Sequence, residues 1–183
     1  GIRRVSIVRD SKTNLVSIGV KHNGFPTKDW HTTSILFSIL TDGTDSILHR
    51  ALVDTGIATA LSSVIEPTSE ENLGMLIITL APGKTHSDVE RKALELINSL
   101  TLRDLQKPLK RVTQKTLTDL VFSRSSSLQI AMQLTEYVAA DSWQAYTQAE
   151  KAISEITAND IKEQITSLFS EKRLTIGYFV GNS

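Results

Sequence analysis

Residues 15–22, Leu-Val-Ser-Ile-Gly-Val-Lys-His, carry the pattern that decides the fold. Their Val, Ile and Val alternate with small or charged residues, which is the two-residue period of a strand with one buried face. A second strand-like run, residues 2–9, precedes this one across the short turn 12–14. Since short turns join antiparallel strands, we expect these two strands to pair with each other.

Downstream of this strand the apolar spacing becomes helical. Pro26 ends the strand pattern, and residues 27–40 place their apolar side chains on one broad helical face. A second helix is predicted over 46–55, with Asp45 as its N-cap. Gly56 then lies where a left-handed C-cap belongs.

The second half of the chain is predicted to be mostly helical. Thr85 and Thr157 are each followed three residues later by Asp, a variant of the capping box that starts a helix. Residues 108–140 are helical with a break at 123–127, where serine hydroxyls compete for the backbone. The remaining predicted elements are strands 57–65 and 73–80, helix 143–154 and strand 173–180.

This order of elements predicts an α+β domain of two layers. Strand pairs joined by short turns favour a mostly antiparallel sheet, and the helices would then cover one of its faces. Residues 73–80 are apolar on both faces, which places that strand in the interior of the sheet. The length of 183 residues fits a single domain, residues 1–183.

Composition and charge exclude several functional classes. The 20 Lys and Arg balance the 20 Asp and Glu, so we expect neither nucleic acid nor an anionic membrane surface as a partner. No apolar run approaches the roughly 18 residues of a membrane span. There is no Cys, and the 4 His form neither His-Glu-x-x-His nor His-x-x-Glu-His. We therefore expect no catalytic residue and no metal site in this domain.

Several short strings, taken in order, resemble the pitrilysin/insulinase family of zinc metallopeptidases. They are Gln-Leu-Thr-Glu-Tyr at 133–137, Asp-Ser-Trp-Gln at 141–144, Ile-Thr-Ala-Asn-Asp-Ile at 156–161, Leu-Thr-Ile-Gly-Tyr-Phe-Val at 174–180 and Leu-Val-Asp-Thr-Gly-Ile-Ala at 52–58. The string at 52–58 resembles a passage of the family's C-terminal half, and the resemblance extends over essentially the whole chain. The resemblance implies a half-domain like those of the mitochondrial processing peptidase.

That resemblance also implies a function and a partner. In the family, an N-terminal half carries the zinc motif, and a C-terminal half without it helps to bind peptide and to close the chamber. This chain would be the non-catalytic half of a zinc metalloendopeptidase, within a longer chain, with zinc in its N-terminal partner half and not in itself. Two alternatives are a separate non-catalytic subunit of a processing-peptidase-like heterodimer and a structural, core-type scaffold subunit. Bacterial relatives are often exported, which favours the periplasm by analogy, with the cytoplasm as the alternative compartment.

The resemblance also supplies candidate contact residues. Many family members have an Arg and a Tyr that reach the substrate from the passage matching residues 52–60. Val53 and Thr59 stand at the nearest positions here, so this chain departs from the family pattern. We predict Val53, Ile57 and Thr59 as substrate-contacting residues on the chamber side. Packing at the end of the helix and the start of the strand is the alternative role for them.

Overall fold

The structure, a computed structural model, describes residues 1–182. Within that range the chain forms one sheet of five strands, together with six α-helices and a π-helical turn. The strands are β1 (Arg3–Arg9), β2 (Leu15–His22), β3 (Ala58–Val64), β4 (Asn72–Leu80) and β5 (Leu174–Gly181). The helices are α1 (Lys28–Thr41), α2 (His86–Ser99), α3 (Leu102–Ser123), α4 (Ser127–Ala139), α5 (Ala145–Ser154) and α6 (Ala158–Leu168), and the π-helical turn is His49–Val53.

The strand order is β1-β5-β2-β4-β3, with β2 at the centre. β1 runs parallel to β5, from Arg3 beside Thr175 to Arg9 beside Gly181, and the other three pairings are antiparallel. The expected β1–β2 hairpin is therefore wrong. The last strand enters between them and bonds to both, which satisfies backbone groups along both of its sides. The interior position predicted for β4 is confirmed, because it lies between β2 and β3.

One face of the sheet is covered by helices. Val16 and Ile18 of β2, Ile78 of β4 and Ile176 of β5 point to that face and are fully or almost fully buried. Helices α1, α2 and α6 contact β2 directly, while α3 and α5 pack against α1, and α4 against α5. The predicted α+β fold, with a mostly antiparallel sheet and helices on one face, is confirmed. No helix within residues 1–182 is both long and apolar enough to cross a bilayer.

Capping residues fix several helix starts as predicted. The side chains of Thr85 and Thr157 accept hydrogen bonds from the backbone N–H three residues later, at Asp88 and Asp160. The carboxylate of Asp160 also accepts a bond from the backbone of Thr157, which completes a full capping box. These contacts involve only neighbouring residues, so the sequence alone specifies them.

Helix α3 begins earlier than the sequence predicted. Thr101 and Asp104 form a full capping box that starts the helix at Leu102, before Pro108. Pro108 lacks the N–H that would bond the carbonyl of Asp104, yet it remains inside the helix, held by the cap and by burial of neighbouring leucines. The predicted break in the serine-rich segment is confirmed, because α3 ends at Ser123 and α4 begins at Ser127.

Candidate functional site

The face of the sheet that carries no helix has an apolar centre. Side chains from four strands line a shallow depression of about 280 Å³ there, among them Val5 and Ile7 of β1, Leu15 of β2, Ile77 of β4 and Phe179 of β5. Val5 is 54% exposed and Ile7 is 46% exposed. Exposed apolar side chains grouped in this way can contact a partner. We call this group the open-face depression.

Strand β1 forms one edge of the sheet beside this depression. All seven of its residues are exposed, and within residues 1–182 no strand pairs with its outer side. The unpaired N–H and C=O groups of such an edge can receive an extended peptide as an additional strand. The register places Arg3 and Arg9 on the same face as Val5 and Ile7, so the apolar centre of β1 has a positive charge at each end.

The other face of β1 is anchored to helix α2 through Glu90. The guanidinium of Arg4 donates two hydrogen bonds to the Glu90 carboxylate, at 2.6 Å and 3.2 Å. The hydroxyl of Tyr178 on β5 donates a third, so two strands hold one carboxylate. Glu90 itself is buried. Burial alone would raise the pKa of the Glu90 carboxyl, but the bonds from Arg4 and Tyr178 lower it below its ordinary value.

His86, one turn before Glu90 on α2, contacts strand β5. Its Nε2 lies 2.9 Å from the carbonyl oxygen of Phe179, and its ring lies 5.1 Å from that of Tyr178. The pair His86 and Glu90 thus joins α2 to β5. Among residues 1–182, no group of three or more His, Cys, Asp or Glu side chains is placed to hold a metal ion.

The segment around the predicted contact residues is irregular. The helix expected over 46–55 is shorter and differently bonded: residues 47–53 are helical, and 49–53 form a π-helical turn, closed by a bond of 3.1 Å from the Asp54 N–H to the His49 carbonyl. Asp45 caps no helix, since the amide of Ser46 bonds the carbonyl of Gly43. Gly56 has φ 70°, as its predicted C-cap position requires.

The three predicted contact residues lie in different environments. Val53 and Ile57 are half-buried and pack against the main core. Thr59 is exposed at the start of β3, within a β-bulge where the register shifts between Ala58 and Ala60. π-Turns and β-bulges recur at functional sites because they redirect side chains, and here both irregularities occur within a few residues of each other. Thr59 is the one of the three whose side chain is free to meet a ligand, and its role in contact stays a prediction.

The open-face depression was not predicted from the sequence. The alternation in β1 was visible, with Val5 and Ile7 between Arg3 and Arg9. Its position at an edge was not visible, because that position depends on β5 entering between β1 and β2. The spacing of His86 and Glu90 was the only local sign of the bonded cluster that joins α2 to the sheet.

No protein-family model matches the sequence, and no curated protein is significantly similar to it. Solved structures are similar in fold. A protease from Helicobacter pylori superposes with a TM-score of 0.88 at 19% identity, over 98% of this chain and 44% of that one. The inactive peptidase domain of a candidate zinc protease from Bordetella parapertussis gives 0.85 at 19% identity, over 96% of each chain.

A third structure, a peptidase M16 inactive domain from Pseudomonas fluorescens, gives a TM-score of 0.77 at 15% identity, over all of this chain and 44% of that one. This chain therefore spans less than half of two of these proteins and nearly all of the Bordetella domain. At sequence identities this low, the superpositions establish similarity of fold and nothing more. The fold expected from the pitrilysin/insulinase resemblance is confirmed: the chain is folded like the inactive peptidase domains of M16 zinc proteases.

Proposed function

We propose that this chain is the non-catalytic half of a zinc metalloendopeptidase, and that it binds peptide along β1 and the open-face depression. In this arrangement the zinc and the catalytic residues belong to a partner half. The exposed edge of β1 beside Val5 and Ile7 is the observation that carries the proposal. The likeness to inactive peptidase domains supports the assignment to the half without zinc.

The charge around the edge favours a particular kind of peptide. Arg3 and Arg9 flank the apolar centre of β1 on its open face, and neither is paired with a carboxylate among residues 1–182. An extended peptide with an apolar centre and acidic residues at both ends would place opposite charges near these guanidinium groups. Because such contacts are exposed, binding should weaken as salt concentration rises.

The proposal is tested by reconstitution. The 183-residue chain is mixed with a zinc half that carries His-x-x-Glu-His and is encoded in the same genome, and cleavage of a fluorogenic, unstructured peptide is followed. We expect cleavage by the pair and none by this chain alone. Val5→Asp should reduce cleavage about tenfold or more, because it places a carboxylate within the apolar centre of the peptide-binding edge.

Val8→Asp is the matched control. Val8 lies on the same strand and is 54% exposed, as Val5 is, but its side chain points to the opposite face of the sheet. If both variants remain folded and lose cleavage activity equally, peptide binding on the open face is contradicted. Failure of the two halves to associate would instead favour the scaffold alternative. A cleaving zinc half that is encoded by a separate gene, rather than by the same gene as this chain, would favour the separate-subunit arrangement.

A further inference from the structure

A second concave site lies among the helices, far from the open-face depression. Four aromatic rings line it: Phe25 before α1, Trp30 and His31 in α1, and Tyr137 in α4. Phe25 lies edge-on to Trp30 and to Tyr137, with ring centroids 4.8 Å and 4.5 Å apart. The volume of this partly open site is about 270 Å³. We call this site the aromatic cavity.

Two polar side chains in the wall of the aromatic cavity have unused hydrogen-bonding capacity. His31 is 6% exposed, and among residues 1–182 no hydrogen bond involves its ring nitrogens. Gln133 donates from Nε2 to the Ser123 hydroxyl at 2.7 Å, but its buried Oε1 has no partner in the described part of the chain. Buried polar atoms are almost always bonded, so the unpartnered Oε1 of Gln133 in this wall indicates a missing partner, and the unbonded ring of His31 lies beside it in the same wall.

Two titratable groups in the wall, His31 and Tyr137, are held neutral, and the exposed carboxyl of Glu136 also lies in the wall. Burial lowers the pKa of His31, which keeps its imidazole uncharged near neutral pH and leaves one ring nitrogen as an acceptor. Burial likewise raises the pKa of Tyr137, so that phenol stays protonated. The unbonded polar atoms in the wall, a ring nitrogen of His31 and Oε1 of Gln133, are therefore hydrogen-bond acceptors. They suit a ligand that donates an N–H or O–H.

We propose that the aromatic cavity binds a neutral aromatic ring system of one or two rings that carries one N–H or O–H, such as an indole or a phenol. An apolar cavity of about 150 Å³ holds a benzene ring, so this larger space accommodates a ring with a polar substituent. Edge-to-face contacts with the surrounding rings favour an aromatic over an aliphatic guest. The ring can come from a free small molecule or from a side chain of a peptide.

The two tryptophans provide the measurement. Trp30 lines the aromatic cavity, whereas Trp143 is 57% exposed and takes no part in its wall. In the 183-residue chain labelled with ¹⁵N-tryptophan, each indole N–H gives one signal, and Trp143→Phe assigns them. On titration with indole, we expect the Trp30 signal to shift with saturation at millimolar concentration or below, while the Trp143 signal stays in place.

Variants locate the binding. Ser34→Phe fills the cavity from α1 and should abolish the saturable shift, since Ser34 lies in the wall. Gln133→Leu and His31→Leu each remove an acceptor and should weaken binding about fivefold or more, the equivalent of one hydrogen bond. Gln148→Leu, on the exposed surface of α5, is the matched control and should leave the affinity unchanged.

Two further titrations distinguish the source of the ring and test its chemistry. If N-acetyltryptophanamide binds as tightly as indole, the cavity accepts a peptide side chain; if only indole binds, the ligand is a free small molecule. Cyclohexanol, of similar size but not aromatic, should bind at least fivefold more weakly. The proposal is overturned if neither aromatic probe gives a saturable shift of Trp30, if cyclohexanol binds equally well, or if Ser34→Phe leaves indole binding intact.

Discussion

Glu90 ties the edge strand to the rest of the molecule, since its carboxylate receives bonds from Arg4 of β1 and Tyr178 of β5. We predict that Glu90→Gln lowers the free energy of unfolding by about 1–3 kcal/mol, measured by urea denaturation, because a buried charged acceptor is lost and Arg4 loses its partner. Glu95→Gln on the same helix is the control. Its bond to Arg91 is exposed at both ends, and its effect should stay within about 0.5 kcal/mol.

The Glu90 effect should also depend on pH. The pKa of this carboxyl is lower in the folded state, so its stabilising contribution is present above the ordinary pKa of glutamate and is lost as the pH falls through the folded value. Wild type and Glu90→Gln should therefore become more alike in stability as the medium is acidified. A constant difference between them from neutral pH to acid would show that Glu90 acts through packing rather than through its charge.

At the scale of elements, two capping boxes of identical chemistry differ in one contact. Asp160 in the cap of α6 receives a bond of 2.5 Å from Lys28 in the first turn of α1, whereas Asp104 in the cap of α3 has no such lysine. The bond from Lys28, with those from Thr157, lowers the pKa of Asp160 from 3.8 to about 2. One exposed pair therefore joins two helices that lie on the sheet.

We predict that Asp160→Asn destabilises the chain more than Asp104→Asn does, by about 1 kcal/mol in thermal or urea unfolding. The contribution of Asp160 is present above about pH 4 and is lost as the pH falls toward 2, so the gap between the variants should close in acid. The difference in stability between the two variants should also become smaller in high salt, because Lys28 is exposed and salt screens its charge. If both variants lose the same stability at neutral pH and low salt, the contact between Lys28 and Asp160 contributes nothing.

Elements set by neighbouring residues were predictable, and those set by distant ones were not. Thr85 and Thr157 cap helices as expected, because the cap and its partner lie three residues apart. The helix predicted over 46–55 forms over 47–53, but its part at 49–53 is π-helical, with the Asp54 N–H bonded to the carbonyl five residues back rather than four. At the candidate site, Val53 and Ile57 pack against the core, and their contact with substrate stays a prediction. The irregular backbone around Thr59 had no signal in residue spacing.

At the scale of the whole molecule, the proposal places zinc in the partner half. We predict that the 183-residue chain, purified and dialysed without chelator, retains well under one zinc per chain by mass spectrometry of metals. Within residues 1–182 the four histidines lie in separate surroundings, with no group of three potential ligands. The reconstituted pair should contain zinc at one equivalent. Stoichiometric, sub-micromolar zinc binding by this chain alone would contradict the non-catalytic assignment.

The entry of β5 between β1 and β2 has a consequence for how the protein is made. On the ribosome, β1 and β2 are made long before β5. Until residues 174–181 follow, β1 has no partner strand and β2 can pair on one side only, with β4. Pairings between such distant segments form slowly, and unpaired strand edges are prone to aggregate in the meantime. The nascent domain therefore carries an unpaired β1 and one open side of β2 until β5 is made, so a chaperone that shields strands would act before β5 is translated and become dispensable once β5 is in place.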